Sequence, residues 1–328
     1  EHTRSSTPDF TSCWYSSYFC IKTRADVRKL IVFGFTKTTN AFYDQGYRKG
    51  TGMLPTIGYA LREQNRPILT DPAVNACEIT FERADDPLRV EKYLQDLDFD
   101  HVSIHALKLS VASADPPGEK YLKALKEIAD ENGADSISDH LGFTRNAHEG
   151  VEMGHFASPP YTQDALDATV RNLDVIQNYF GDRRFYLENV AYLFQFEGEM
   201  DEQEFLTETL KRSGSGWLLD VTNVYANAVN FGYDAYEFIK GVMPHADAVQ
   251  MHLAGGVYDE KVEKYIDSHS HPIPDDVFDL YRFALEQSKG KVSAVFIERD
   301  QEFPDEAGWR SEVKRVREIM EEVYAVSA

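Results

Sequence analysis

The sequence predicts an α/β protein built as a closed (β/α)8 barrel. Three observations point there. Eight short β-rich runs recur between Thr56 and Asp300, amphipathic stretches separate most of them, and all but the first close on an ionisable or amide side chain. Alternation of strand and helix favours a parallel sheet, and eight such strands suggest a closed one. An open doubly wound sheet is the rival arrangement. No G-x-G-x-x-G follows the first strand, so the usual dinucleotide signature of that rival is missing.

Taken in chain order, "TIGYAL" (56–61) opens the regular pattern, and "CEITFE" (77–82) ends in Glu82. "HVSIHAL" (101–107) carries His105. "GEKYLKALKEIADENG" (118–133) then repeats apolar residues at helical spacing and stops at Asn132-Gly133, a good C-terminal signal. "DSISDHL" (135–141) delivers Asp139 and His140. "TQDALDATVRNLDVIQNYFG" (162–181) starts on a capping Thr162 and stops at Gly181. "RFYLENV" (184–190) brings Glu188 and Asn189, "GWLLDVTN" (216–223) Asp220 and Asn223, and "AVQMHLA" (248–254) His252. The helical "PDDVFDLYRFALEQSKG" (274–290) again ends in Gly, and "SAVFIERD" (293–300) closes the series with Glu298 and Asp300.

Bulk properties narrow the function. Among 328 residues, 55 acidic against 34 basic side chains give a net charge of −21, which argues against nucleic-acid binding through the phosphate backbone. Such a surface suits solubility, cationic partners or metal ions. No stretch approaches the ~20 apolar residues that span a bilayer, so the expectation is a soluble protein without a membrane partner. Cys13, Cys20 and Cys77 form neither a disulfide framework nor a zinc pattern, which is compatible with a reducing, cytoplasmic location. Residues 1–52 lack periodicity and read as an irregular N-terminal extension, with the barrel over 53–328. Cys13 and Cys20 within that extension either pair, bind metal or are incidental thiols.

In a parallel barrel the C-terminal strand ends converge on one face. Burying an unpaired charge there costs several kcal/mol, and a cation is the natural compensation. The strand ends offer His105, His140, Glu188, Asp220, His252 and Glu298, and the segment "DSHSHP" adds Asp267 and His269. The i, i+2 spacing of these last two places both on one side of an extended segment. With no Cys in the set, mixed imidazole and carboxylate donors suit iron, manganese or zinc. One open site needs about three protein ligands, so eight imply two or three ions with shared carboxylates.

Any one of these histidines taken alone reads as an ordinary hydrogen-bonded residue; the whole set does not. Glu82 either pairs with Arg83 or another arginine, or supports the ligands and substrate. His271 orients His269, meets substrate or starts the next helix. Asn189, Asn223 and Asp300 are candidates for orienting ligands or touching substrate. His148 and His155 lie in a long loop (144–161) that could cover the site, and read as non-ligands. His2, His101 and His245 read as surface residues.

Quoted in order, "VSIHALKLS", "SDHLGF", "YLENVAYLFQF", "WLLDVTNVYANAVNFGYDAYEFI", "MHLAGG", "DSHSHPIPDDVFDLY" and "VFIERD" resemble the multinuclear non-heme iron-dependent oxidases. That family includes the methanobactin-forming oxidase and the 3-thiaglutamate pathway enzyme, and the likeness covers roughly residues 53–325. The resemblance implies a xylose-isomerase-like barrel holding two or three Fe ions. It further implies use of O2 to oxidise a residue, often Cys, of a ribosomally made precursor peptide, which a partner protein often presents. The family's metal ligands fall on His105, His140, Glu188, Asp220, His252, Asp267, His269 and Glu298. Glu188, Asp220, His252, Asn223 and Asp300 are the residues expected to carry catalysis. This chain departs from the family at Arg83, which follows Glu82 where Asn is common, and in "TIGYAL" and "REQNRPILTDP"; these departures bear on substrate. Two other readings share the His/Asp/Glu mouth: a redox-neutral isomerase or phosphodiesterase using zinc, manganese or magnesium, and a non-catalytic metal- or peptide-binding protein.

Overall fold

The computed structural model of the chain describes residues 54–83, 94, 97–145 and 152–327. The expected extension 1–52, with Cys13, Cys20 and His2, lies outside the described residues, as does His148. Eight strands close into one barrel, every neighbouring pair parallel. They are β1 (Thr56–Ala60), β2 (Ala76–Thr80), β3 (His101–His105), β4 (Ser136–His140), β7 (Arg184–Glu188), β8 (Gly216–Asp220), β9 (Val249–Ala254) and β12 (Val292–Glu298). Each falls on one of the eight runs read from sequence.

The described helices are α1 (Glu119–Glu131), α2 (Gln163–Phe180), α3 (Glu202–Ser213), α4 (Val221–Phe231), α5 (Ala235–Val242), α6 (Asp275–Ser288) and α7 (Glu306–Ser327). Thr162 caps α2 by accepting from the Ala165 N–H at 3.3 Å, and Gly181 ends it at a φ of 65°. Two antiparallel hairpins were not anticipated: β5 (Phe143–Arg145) with β6 (Glu152–Ala157), and β10 (Val257–Asp259) with β11 (Lys264–Ile266). Their arms are too short to show a convincing two-residue period.

Because strand side chains alternate, each run splits into two populations. Ile57, Tyr59, Ile79, Ile104, Ile137, Phe185, Leu187, Trp217, Leu219, Met251, Leu253, Val295 and Ile297 join one continuous core with helix residues such as Leu122, Leu125, Leu173 and Phe205. Burying each of the larger of these contributes about 1.5–3 kcal/mol. The alternate positions form small separate clusters, Ala76 with Ala294 and Phe296, and Tyr186 with Leu218 and Ala248. A polar group shares that face. His101 Nε2 lies 3.1 Å from Ser136 Oγ and 3.0 Å from Gln250 Nε2.

His101 is therefore not the surface residue expected. It stands four residues before His105 on β3, so both imidazoles share one face of the strand. His245 is exposed, as expected.

Candidate metal centre

The strand register brings the end residues side by side: His140 opposite Glu188, Asp220 opposite His252, and Phe296, two residues before Glu298, opposite His252. His105 rests its Nδ1 against Ser138 Oγ at 2.9 Å, which leaves Nε2 at 3.5 Å from Glu188 Oε2. His140 rests its Nδ1 against Asp139 Oδ1 at 3.3 Å and presents Nε2 at 3.7 Å from the same Glu188 oxygen. Phe156, on β6, stacks on the His140 ring at 4.3 Å. The segment 144–161, read as a loop that could cover the site, contributes this ring from β6.

His252 is turned the other way. Its Nε2 lies 3.1 Å from Glu78 Oε2, while Nδ1 lies 3.2 Å from Glu298 Oε2 and 3.7 Å from Glu188 Oε1. His269 completes the ring, with Nε2 at 3.0 Å from Asp267 Oδ2 and Nδ1 at 3.6 Å from Glu298 Oε2. Asp220 ends β8 and caps α4, its Oδ1 accepting from the Asn223 N–H at 2.7 Å.

Among the described residues, His105/His140/Glu188, Glu188/Asp220/His252 and Asp220/His269/Glu298 each offer ligand atoms within 4.8 Å of one another. Glu188 belongs to the first two groups and Asp220 to the last two, so the three make a connected chain. Glu78, His252 and Glu298 form a fourth group. Contacts of 3.5–3.7 Å are too long for hydrogen bonds. They are close to the spacing of two ligands of one ion, whose bonds of about 2.0–2.2 Å set its ligands up to about 3.6 Å apart.

The polar atoms of this mouth fit a metal. Glu78 Oε1, Glu188 Oε2, Asp220 Oδ2, His252 Nδ1 and Asp267 Oδ1 are buried without a hydrogen-bond partner, although buried polar groups are normally satisfied. Electrostatics agree. Burial, then the charges of Asp267 and Glu188, push the Asp220 carboxyl well above the usual range, a carboxylate in want of a cation. Burial opposes charge on Glu188 too, but His140, His252 and His105 together outweigh it and hold that carboxyl at about 2. His140 is pushed to about 9, burial being outweighed by Glu188 and Asp139. His252 and His269 are likewise raised by surrounding carboxylates against their burial, whereas burial wins at His105 and lowers it. Binding of divalent ions to such a set displaces protons from its histidines and carboxyls.

Supporting residues divide sharply. Asn189 donates to the Asp220 carbonyl at 2.9 Å and accepts from the Asp220 N–H at 3.1 Å and from Trp217 Nε1 at 3.0 Å, which fixes the end of β8. Asn223 donates to the Asn189 carbonyl at 3.0 Å, with its amide 3.5 Å from Glu188 Oε1. Asp300 lies 3.7 Å from His269 Nδ1 and binds Arg62 and Arg83. Glu82 turns its carboxylate to the Leu107 N–H, at 3.0 and 3.2 Å, and to the Tyr121 hydroxyl. It pairs with no arginine among the described residues. The His271 ring bonds Ser270 Oγ at 2.8 Å and joins none of the four ligand groups.

Glu78 is the residue that sequence reasoning missed. It is fully buried in the middle of β2, two residues before Thr80 on the same face. The signal was a carboxylate embedded in a β-rich run. Glu82 closes the run in the sequence but lies beyond the strand.

The "DSHSHP" segment brings Asp267 and His269 together, but not by extension. His269 has a φ of 49°, in the left-handed region. Its carbonyl accepts from the Asp300 N–H at 2.7 Å, and the Ser270 N–H donates to the Gly255 carbonyl at 3.2 Å. A Cβ on Gly255 would lie 1.9 Å from the His271 carbonyl oxygen, so only glycine permits this approach.

The fold and this mouth define a (β/α)8 barrel whose strand ends gather histidines and carboxylates into candidate metal-ligand groups. The sequence matches the family model described as the RiPP precursor modification enzyme MbnB/TglH/ChrH over residues 56–321, and the chain belongs to that family. A UPF0276 protein of Rhizorhabdus wittichii is 36% identical over 222 residues, covering 66% of this chain and 76% of that protein. A UPF0276 protein of Caulobacter vibrioides is 37% identical over 204 residues, covering 62% and 70%. Among solved structures, a D-tagatose 3-epimerase-like protein superimposes with a TM-score of 0.54 at 16% identity, covering 83% of this chain and all of that one. An L-ribulose 3-epimerase gives 0.52 at 15% identity, covering 84% and 96%. At such identities the likeness is one of fold, a xylose-isomerase-like barrel. No helix among the described residues is long and apolar enough to cross a membrane.

Proposed function

We propose that the chain is a multinuclear non-heme iron oxidase that uses O2 to modify a residue, often Cys, of a ribosomally made precursor peptide. Membership of a precursor-modifying family supports the peptide. The observation that carries the reading is the linkage of three candidate ligand groups through Glu188 and Asp220. A single hydrolytic or isomerising ion needs only one such group.

In this reading His105, His140, Glu188, Asp220, His252, His269 and Glu298 would hold the metal, with Asp267 beside His269. Iron, when bound, supplies electrons to O2 and acidifies a substrate thiol. The chain's own part is orientation. Ser138, Asp139 and Glu78 each hold one ring nitrogen of a histidine, so that the other faces the carboxylates. Asn189 and Asn223 fix the strand ends that carry Asp220 and Glu188. The Phe156 ring covers His140 and keeps water from that side.

A short Cys-containing peptide encoded beside this gene is the substrate to test. Protein loaded anaerobically with ferrous iron should consume O2 and change that peptide's mass, and zinc-loaded protein should do neither. A mass change given by zinc-loaded protein without O2 would move the chain to the redox-neutral class.

A further inference from the structure

Beside the metal centre, Asp300 holds two guanidinium groups on one oxygen. Arg62 Nε lies 2.7 Å and Arg83 Nη2 3.1 Å from Asp300 Oδ1. Arg62 is buried and fully engaged, donating also to the Leu61 carbonyl at 2.8 Å and to Thr80 Oγ1 at 3.1 Å. Arg83 is different. Its side chain is 51% exposed, and Nε and Nη1 find no acceptor among the described residues. The second Asp300 oxygen is directed to His269, 3.7 Å from Nδ1.

One carboxylate thus serves two arginines and a histidine of the metal centre. At this point of the rim two guanidinium groups share one carboxylate oxygen, in a chain whose net charge is −21. A guanidinium keeps a planar fork of donors, and a fork with one arm anchored and another open matches a carboxylate. Burial and the neighbouring Arg62 weaken the hold of Arg83 on its proton, while Asp300 and Glu298 strengthen it, so Arg83 lies within electrostatic reach of the metal-centre carboxylates.

We propose that Arg83 anchors the substrate by binding one of its carboxylates, setting the reacting group over the metal centre. The carboxylate belongs either to the chain terminus of the peptide or to an acidic side chain next to the reacting residue. This assignment rests on the peptide-oxidase reading for the nature of the substrate, and the test separates the two.

The probes are N-acetylcysteine, N-acetylcysteinamide, N-acetylcysteinyl-aspartic acid α-amide, whose side-chain carboxylate is free, and N-acetylalanine. Each is titrated calorimetrically into anaerobic, ferrous-loaded protein. At least one of the two thiol probes with a carboxylate should bind about ten-fold more tightly than the amide, the gain of a charge-assisted hydrogen bond. Which one does so distinguishes the terminus from the side chain. Arg83→Gln should abolish that preference with iron content unchanged, and Arg83→Lys should restore part of it. Equal binding of all thiol probes overturns the carboxylate site and leaves the thiol reading standing. A preference that survives Arg83→Gln also overturns it. Arg83-dependent binding of N-acetylalanine as tight as that of N-acetylcysteine keeps the carboxylate site and removes the thiol. Binding of no probe overturns both.

Discussion

At the scale of residues, the centre depends on which nitrogen each histidine turns inward. Glu78 decides this for His252, since its Oε2 at 3.1 Å from Nε2 leaves Nδ1 to face Glu188 and Glu298. Glu78→Gln keeps the shape but offers a neutral amide. It should weaken metal binding about 10–100-fold, the usual cost of losing an outer partner, while His105 and His140 keep their own partners Ser138 and Asp139. Competition with a chelator measures it, and unchanged affinity would show that His252 is oriented by packing alone. The "DSHSHP" pair makes a sharper contrast. His269→Ala should lose at least one ion, whereas His271→Ala, whose ring bonds Ser270, should retain most metal. Metal analysis showing the reverse would place the ligand one histidine along.

At the scale of elements, the eight strands were legible because each is a short run rich in apolar and β-branched residues and, in all but the first, closes on a polar side chain. The end residues were legible for the same reason. Glu78, in the middle of β2, and His101, at the start of β3, were not, because a run that alternates between two buried populations reads as continuously buried. The hairpins escaped because their described arms run to only three to six residues. Nor did the sequence show how the loop after β9 locks onto "DSHSHP". Gly255 makes that contact, and Gly255→Ala forces a Cβ against the His271 carbonyl. Overpacking of this kind costs about 1–3 kcal/mol. The variant should show a lower Tm together with partial loss of the metal held by His269; a Tm and metal content equal to the parent would mean that the loop yields freely.

At the scale of the molecule, pH acts on stability through a group remote from any ligand role. Glu202, the first residue of α3, is buried and accepts from the Tyr192 hydroxyl at 2.7 Å. Burial, only partly offset by that bond, raises its carboxyl from an ordinary 4.5 to about 7. Below pH 4.5 the group is protonated both folded and unfolded, and it exacts no penalty. Between 4.5 and 7 the unfolded chain releases the proton first, so stability falls as pH rises; above 7 the loss is complete. Glu202→Gln should therefore match the parent near pH 4.5 and exceed it above pH 7 by up to about 3 kcal/mol. Thermal unfolding of both proteins across that range measures the difference. A parent that gained on the variant with rising pH would reverse the assignment.

The whole arrangement of strand ends comes to one claim, that Glu188 and Asp220 join several metal positions in a single mouth. The most direct measurement is the number of metal ions per chain in protein produced with iron supplementation and kept anaerobic. Two or three irons are expected, with His105→Ala and His269→Ala each losing a different part of that complement. One zinc per chain and no iron would contradict it.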